Sequence, residues 1–529
     1  MTDPAVETPK RMRTPGRPGG RSGGRSGNTR RGAGGDIAQL PWQIPEILDA
    51  PTEPLDVEGI AAIDNAAMRI IEEIGIDFLH DEARAVLKAA GADVDPDSPR
   101  LRMDRALVRE TVAKAPSSFT ITPRSQARQV TVGGRSQLYV NVSSPPNCSD
   151  LGRGRRAGTQ ESFRALVKLS QHFNCIHLMG GYPAEPVDLH PSTRHLDCLR
   201  DKLVLTDKVM HCYALGAERV EDAMEMVRIA GGLSHAEFEA TPRMYTNINS
   251  TSPLIYDWPM LDGAMRMVRR GQPVIVTPFT LAGAMAPVTL AGAIAQQTAE
   301  ALAAIALLQL VRPGCPVVMG SFTSNVDMKT GAPAFGTPEY MRATQMSGQM
   351  ARHYGLPLRV SNACAANAPD SQSGWESAFS LWACTSGHAN IVYHSAGWLE
   401  GGLCASYEKF VMDCETLQQI IAYNQPIGLG EDDLALDAVA EGNEARHFFG
   451  IQHTQDRYET AFYSPFLSDW RNYETWAEAG ALQTPERANR IWKAILAEFE
   501  APPMDPGVQE ELDAFVTRRK AEGGAPTDF

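Results

Sequence analysis

From about residue 136 the chain alternates short, nearly continuous apolar runs with longer segments whose apolar positions recur every three or four residues. The runs are Leu138–Val142, Cys175–Gly180, Lys208–Leu215, Met244–Asn249, Pro273–Phe279, Pro316–Phe322, Leu358–Asn362 and Asn390–Ser395. Between most of them lie amphipathic segments such as Arg194–Leu205, Val220–Ala230, Thr289–Leu310, Pro338–Tyr354 and Gly374–Ser386. Eight strand–helix units in about 290 residues is the count and length of a (β/α)8 TIM barrel. Barrel strands are covered on both faces, and Pro-Val-Ile-Val-Thr-Pro-Phe279 and Pro-Val-Val-Met-Gly-Ser-Phe322 read that way. A doubly wound open sheet is the competing architecture, but no GxGxxG turn follows any run to support it.

The flanks read differently. Ile60, Ile63, Ala67, Ile70, Ile71 and Ile74 form one helical face, and 102–124 supplies a short helix and a strand. Residues 36–135 are therefore expected to form an α+β N-terminal segment, 136–423 the barrel and 424–529 a helical extension. Ser406–Tyr423 reads as the closing helix. Trp470, Trp476 and Trp492 are expected to pack against the barrel, and Pro502, Pro503 and Pro506 break the amphipathic stretch before a last short helix.

Composition narrows the function. The 529-residue chain carries a net charge of −14, which argues against nucleic acid as the main partner. Residues 1–35 run the other way, with Lys10, Arg11, Arg13, Arg17, Arg21, Arg25, Arg30 and Arg31 against Asp3 and Glu7. This Gly/Arg-rich arm holds too few large apolar side chains to offset its ordering entropy, so disorder is expected; a tether for an acidic partner or neighbouring subunit is the other reading. The nine cysteines are scattered without a CxxC pair, as for reduced cytosolic thiols rather than a disulfide framework or zinc ribbon. His447, His453 and the thiols fit no metal spacing, so no metal is expected. The N-terminus lacks the apolar stretch of a signal peptide. The most apolar stretch, Val288–Val311, contains Gln296, Gln297, Glu300 and Gln309, so it reads as a buried helix rather than a membrane span. A cytoplasmic enzyme is expected.

Barrel sites sit at the C-terminal ends of the strands. Those ends carry Asn141, Ser143, Tyr182, Cys212, Tyr213, Asn247, Asn249, Thr277, Phe279, Ser321, Phe322, Asn362, Cys364, His394 and Trp398. This ring is polar but largely neutral, with aromatics interleaved, and aromatic faces hold quaternary ammonium groups by cation–π attraction. The same aromatics could instead be core filling. The loops after the sixth, seventh and eighth runs (324–331, 361–376 and 394–402) are long and rich in small polar residues, so backbone can approach a ligand closely. Asp370, Gln372, Glu376, Glu400 and Glu408 could orient a substrate or balance its charge; Asp370 could equally cap a helix. Arg153-Gly-Arg-Arg156 could meet phosphate or corrinoid side chains, or be a solvated turn. The candidate catalytic residues are Gln372, Glu376 and Glu400. The candidate substrate-binding residues are Asn141, Tyr182, Asn249, Thr277, Phe279, Phe322, Asn362, Cys364, Asp370, His394, Trp398 and Tyr407.

Several stretches resemble the trimethylamine:corrinoid methyltransferase family over roughly residues 36–520. They are Asn249-Ser-Thr-Ser-Pro-Leu254, Gly271-Gln-Pro-Val-Ile-Val-Thr-Pro278, Leu281-Ala-Gly-Ala-Met-Ala-Pro-Val-Thr-Leu-Ala-Gly292 and Pro338-Glu-Tyr340. Asp370-Ser-Gln-Ser-Gly-Trp-Glu376, His394-Ser-Ala-Gly-Trp-Leu-Glu-Gly-Gly-Leu403 and Ser406-Tyr-Glu-Lys409 complete the set. The resemblance implies a TIM barrel whose mouth docks a separate corrinoid protein; the cobalt(I) of that partner attacks a methyl group and the amine leaves. The chain has no Asp-x-His-x-x-Gly corrinoid motif, since Asp188-Leu-His190 lacks the following Gly, so the corrinoid (cobalamin) is expected on the partner and not tightly bound here. The founding members carry pyrrolysine, whereas this chain uses only the twenty standard residues. The family's usual Asp-Ser-Lys stretch reads Ala363-Cys-Ala-Ala-Asn367 here. Pyrrolysine-free relatives act on quaternary amines such as glycine betaine, whose nitrogen is already a good leaving group. The resemblance thus implies demethylation of a small quaternary ammonium or betaine compound and a homo-oligomer. Transfer to tetrahydrofolate without a corrinoid, and a non-catalytic betaine-binding protein on the same scaffold, are the alternatives.

Overall fold

The computed structural model describes residues 37–527, so the basic arm, for which disorder is expected, lies outside the described residues. Seven of the eight runs form one parallel sheet. Its strands are β1 (Leu138–Tyr139), β2 (Met210–Tyr213), β3 (Met244–Ile248), β4 (Val274–Val276), β5 (Val317–Gly320), β6 (Leu358–Ser361) and β7 (Ile391–Tyr393). They lie in the order β1-β7-β6-β5-β4-β3-β2, every neighbouring pair parallel. Helix α1 (Val57–Arg69) precedes the sheet. The connections carry α2 (Gln160–His172), α3 (Arg194–Leu205), α4 (Ala217–Ala230), α5 (Trp258–Arg269), α6 (Leu290–Val311), α7 (Pro338–His353) and α8 (Ser371–Ser386), and α9 (Tyr407–Tyr423) follows the last strand.

The run Cys175–Gly180 departs from the expected eighth strand. It contributes only single parallel bridges, from Leu178 to Val140 on one side and to Val209 on the other. Main-chain bonds persist from the His177 amide to the Tyr139 carbonyl at 2.8 Å and from the Met179 amide to the Val209 carbonyl at 2.9 Å, but side chains accept the neighbouring amides. The Tyr139 amide donates to His177 Nδ1 at 3.0 Å, the Gly180 amide to Asn141 Oδ1 at 2.7 Å and the Gly181 amide to Ser143 Oγ at 2.7 Å. The sheet is therefore a curl of seven strands whose two edges are both bridged by one residue.

Successive strand residues point to opposite faces, so the strands serve two cores. Leu138, Tyr245, Ile275, Val318, Ile391 and Tyr393 cluster inside the curl with Leu178. Val274, Val276, Val317, Met319, Leu358, Val360 and Val392 pack outward in the larger core that the helices share. A hairpin of Ser118–Ile121 and Val130–Gly133 joins the inner cluster through Ile121, Val130 and Val132. Packing between β4 and β5 is close enough to require glycine: a Cβ on Gly320 would stand 2.7 Å from the Thr277 Cα.

The apolar helix α6 is long enough to cross a membrane, but nearly all of its length is buried within the protein. Its polar residues explain why it belongs there. Glu300 is fully buried and accepts from Ser252 Oγ at 2.6 Å, the Leu254 amide at 2.9 Å and Gln296 Nε2 at 2.9 Å, and also from Ser250 Oγ. One carboxylate thus pins the 249–254 loop to the helix.

After α9 come α10 (Leu436–Ala445), α11 (Thr484–Ala497) and α12 (Pro506–Ala521). Helix α11 packs back on α9, where Asn489 Nδ2 and Trp492 Nε1 donate to Glu408 Oε1 at 2.7 and 2.9 Å. Helix α12 is tied to α3 by Arg200 and Asp513 at 2.8 Å. Trp492 is buried and Trp476 half-buried, but Trp470, which the sequence places against the barrel, is 73% exposed. The chain is anchored just before it, where the Phe466 and Leu467 amides donate to Glu415, and it leads outward from there.

Replacing Glu300 leaves several buried donors without an acceptor, at about 1–3 kcal/mol each. Glu300→Ala should therefore lower the unfolding free energy by at least about 3 kcal/mol, and Glu300→Gln by less. Urea denaturation measures both; an unchanged midpoint for the alanine variant would remove the anchoring role.

Candidate active site

A cavity of about 680 Å³ opens at the C-terminal ends of the strands. Its floor is built from inward-facing strand residues: His211 and Tyr213 on β2, Asn247 on β3, Arg359 on β6 and Tyr393 on β7. Its wall is aromatic. Phe279 and Phe322 lie 5.0 Å apart centre to centre, Phe322 stands 5.8 Å from His394 and 6.1 Å from Trp398, and His394 and Trp398 are 4.0 Å apart. Asn249 and Met260 complete one side, and Gly401, Gly402 and Leu403 form the rim. A side chain at Gly402, which has φ +106°, would collide with the Trp398 ring at 2.6 Å, so glycine lets the rim close over the indole.

Arg359 is the one formally charged side chain among the residues lining this cavity. Its guanidinium carbon sits 4.3 Å from the centre of the Tyr393 ring and 5.7 Å from that of Phe322. Its Nη1 reaches the Ser321 carbonyl only at 3.5 Å, its Nε has no hydrogen-bond partner, and no carboxylate forms an ion pair with it among the described residues. Burial lowers its pKa, but from a starting value so high that the cation persists at neutral pH. Burial first, and the nearby Arg359 second, hold His394 well below the usual imidazole range. The same burial, with Lys202 and Arg359 beside it, does so for His211. Both rings are neutral at physiological pH. His211 Nδ1 and Trp398 Nε1 are further buried polar atoms on this wall without a partner. The pocket therefore offers aromatic faces, neutral polar atoms and one unpaired cation.

The structure brings Asn249, Phe279, Phe322, His394 and Trp398 together on the cavity wall. A second set stands behind them. Thr277 donates to Asn247 Oδ1 at 2.8 Å, and Asn249 Nδ2 to the Thr277 carbonyl at 2.8 Å. Asn362 Nδ2 donates to the Ser395 carbonyl at 3.1 Å, and the Cys364 thiol, pushed up to about 12 by burial, donates to the Trp398 carbonyl at 3.1 Å. Asn141 is occupied by the Gly180 amide, and Tyr182 packs edge-on against Tyr213 at 4.8 Å.

The remaining candidates are not brought to the wall. Asp370 caps α8 through the Ser373 amide at 3.2 Å. Glu376 accepts the Ala365 and Ala366 amides at 2.8 and 3.0 Å and the Gln372 amide group at 2.8 Å, which fixes the loop after β6. Glu400 is paired with Arg155 at 2.9 Å, and Tyr407 is buried against Trp492 at 4.8 Å. Sequence reading missed Arg359, His211 and Tyr393, which lie one layer below the strand ends. The signal was present: in Leu358-Arg-Val-Ser361, Leu358 and Val360 face the helices, so alternation turns Arg359 inward.

Fold and pocket define an α/β protein with a cavity of the size that small organic ligands occupy. The family model described as trimethylamine methyltransferase (MTTB) matches residues 21–524, and the chain belongs to that family of methyltransferases. A glycine betaine methyltransferase of Desulfitobacterium hafniense (strain Y51) is 34% identical over 471 residues, covering 89% of this chain and 98% of that protein. A proline betaine:corrinoid methyltransferase of Eubacterium limosum is 27% identical over 378 residues, covering 69% and 76%. The solved monomethylamine methyltransferase of Methanosarcina barkeri covers 89% of this chain and 96% of its own at 9% identity, with a TM-score of 0.43.

The depressed histidines set a pH dependence. His177 is held at about 3 by burial, and His211 and His394 are also far below their unfolded value, so only the unfolded chain takes up their protons as pH falls through 6.5. Stability at pH 7 is therefore lost on acidification, by about 1 kcal/mol per histidine at pH 5.5. His394→Gln should remove about a third of the histidine part of the loss; urea midpoints at the two pH values that do not move would contradict the neutral assignment.

Proposed function

We propose that this protein demethylates a zwitterionic quaternary amine, a betaine carrying a carboxylate, at the mouth of a (β/α)8 barrel closed through Leu178. The carrying observation is Arg359, a buried guanidinium without an acidic partner among the described residues, on the floor of an otherwise neutral aromatic cup. A carboxylate is the anion that a planar guanidinium binds bidentately. With the carboxylate held at the floor, the trimethylammonium end meets Phe279, Phe322 and Trp398, whose faces attract a cation without NH donors. The betaine relatives support this assignment.

A cobalt(I) corrinoid on a partner protein would supply the nucleophile that accepts the methyl group. Above the cavity the chain fits an apolar docking partner: Leu403 on the rim and Val288 and Met328 in the loops after β4 and β5 are exposed. The work left to this chain is positioning and exclusion of water. The C–N bond pair leaves with nitrogen, which becomes a neutral tertiary amine, so no proton donor is required; neutral His211 and His394 suit that step. Asn249, Thr277, Asn362, Cys364, Asn141 and Tyr182 hold the cup in shape, while Gln372, Glu376, Glu400, Asp370 and Tyr407 order the loops around it.

Incubation of the protein with a Co(I) corrinoid and candidate betaines should yield methyl-cobalamin absorbance and the demethylated acid. Arg359→Met should lower kcat/KM for the betaine about 100-fold, equivalent to about 3 kcal/mol, while leaving the slower turnover of tetramethylammonium, which lacks a carboxylate, unchanged. Equal losses on both substrates would refute carboxylate recognition. Product formed with tetrahydrofolate in the absence of cobalt would replace the corrinoid by the folate acceptor, and calorimetric binding without any product would leave a betaine-binding protein.

A further inference from the structure

Two apolar surfaces of this molecule are left uncovered, and they lie next to each other in the chain. The first is the outer face of α8, where Trp375, Phe379 and Trp382 recur at helical spacing and are about half exposed. Tyr423, the last residue of α9, extends it by packing edge-on to Trp382 at 5.3 Å. Three aromatics on one exposed helix stripe, joined by a fourth, form a contiguous patch of the kind that marks an interaction site.

The second begins four residues later. Ile427, Phe449 and Phe462 are more than 80% exposed, and Leu429, Leu434 and Leu436 are exposed as well. Among the described residues, the hydrogen bonds that 428–461 makes stay within that segment, as from Gln455 to the Phe449 carbonyl and between His453 and the Asp432 carbonyl. The chain is secured to the body again only at Tyr463, Phe466 and Leu467, all three on Glu415. The segment has a local order of its own: Phe448 closes on Gly442, and Ile451 and Ala438 are buried. It is thus a folded arm with an apolar exterior rather than a loose tail.

We propose that residues 427–462 form an exchange arm that covers the aromatic face of α8 in a second copy of this chain, and receives the same arm in return. Adjacency argues for a two-fold arrangement. The arm leaves the body beside its own α8 patch and does not cover it, and a self-complementary pair of surfaces on one chain is what an isologous dimer requires. Area argues for a stable one. The exposed apolar side chains of the arm alone present on the order of 1,000 Å², more than the ~800 Å² each partner gives to a standard interface. Charge argues against other occupants. Residues 428–461 hold eight acidic and two basic side chains, which repels nucleic acid and anionic lipid. A protein surface that is itself apolar remains, and α8 supplies one.

Sedimentation velocity of the full chain at micromolar concentration should give a dimer. The double substitution Phe379→Glu and Trp382→Glu should weaken it at least 100-fold and release the arm to trypsin at Arg446 and Arg457, with the helical circular dichroism retained. If that variant fails to fold, Phe449→Glu with Phe462→Glu, on the arm itself, should give the same monomer. A monomeric wild-type chain overturns the proposal, as does a dimer that persists in both variants with unchanged cleavage. A chain whose arm becomes protease-resistant only on addition of the corrinoid protein overturns it in favour of that partner.

Discussion

A guanidinium enters the interior of this protein on the second residue of β6 and meets no carboxylate among the described residues. Removing an ion from water costs several kcal/mol even after relaxation. The faces of Tyr393 and Phe322 return about 0.5–2 kcal/mol each, and the long contact to the Ser321 carbonyl adds little. The cation is therefore tolerated rather than satisfied, and the rest of the cup is arranged around that fact. Its neighbours must be neutral or π-rich. Tyr393 is itself fixed by its hydroxyl contact to Tyr245 at 2.9 Å, which in turn donates to the Met179 carbonyl.

The scaffold holds the aromatic wall at a defined distance above this floor. Gly320 lets β5 approach Thr277, and Thr277 passes that position to Asn247 and Asn249 through hydrogen bonds near 2.8 Å. Glu300 fixes the far end of the same loop to α6. On the opposite side Glu376 orders the 365–366 backbone, and the Cys364 thiol and Asn362 hold the Trp398 and Ser395 carbonyls. Glu300 and Glu376 are thus structural parts that aim neutral side chains, and the one charged side chain among the residues lining the cavity is positive.

This division explains what the sequence could and could not disclose. Strand runs such as 273–279 and 316–322 were legible because burial on both faces makes them continuously apolar, a local property. The wall residues Phe279, Phe322, His394 and Trp398 were legible because they follow strand ends. The reduction of Cys175–Gly180 to single bridges was not, since the side chains of His177, Asn141 and Ser143 accept amides that a regular ladder would give to carbonyls, and composition does not reveal which acceptor a distant amide finds. Glu376 and Glu400 looked chemical because polar side chains shortly after strand ends usually are accessible; the Ala365 and Ala366 amides and the Arg155 guanidinium that engage them are set by tertiary contacts, while Gln372 reaches Glu376 one turn along the same helix. Arg359 was hidden by its neighbours, because a strand reading weighs the run rather than the face. Alternation with Leu358 and Val360 is the rule that recovers it.

The buried cation also bears on which amines such a pocket can use. Arg359 helps burial to keep His394 and His211 unprotonated, so the wall has no acid ready to protonate a departing nitrogen. A tertiary amine losing a methyl group from its neutral form would leave as an amide anion, which is prohibitively basic without such an acid. A quaternary nitrogen leaves neutral and needs none. Arg359, which on the proposed reading binds the substrate carboxylate, would thereby favour a substrate whose nitrogen already carries its charge. Under that proposal one residue would select both ends of a betaine: its anion by attraction, and its permanent cation by the proton donors that this residue and burial withhold.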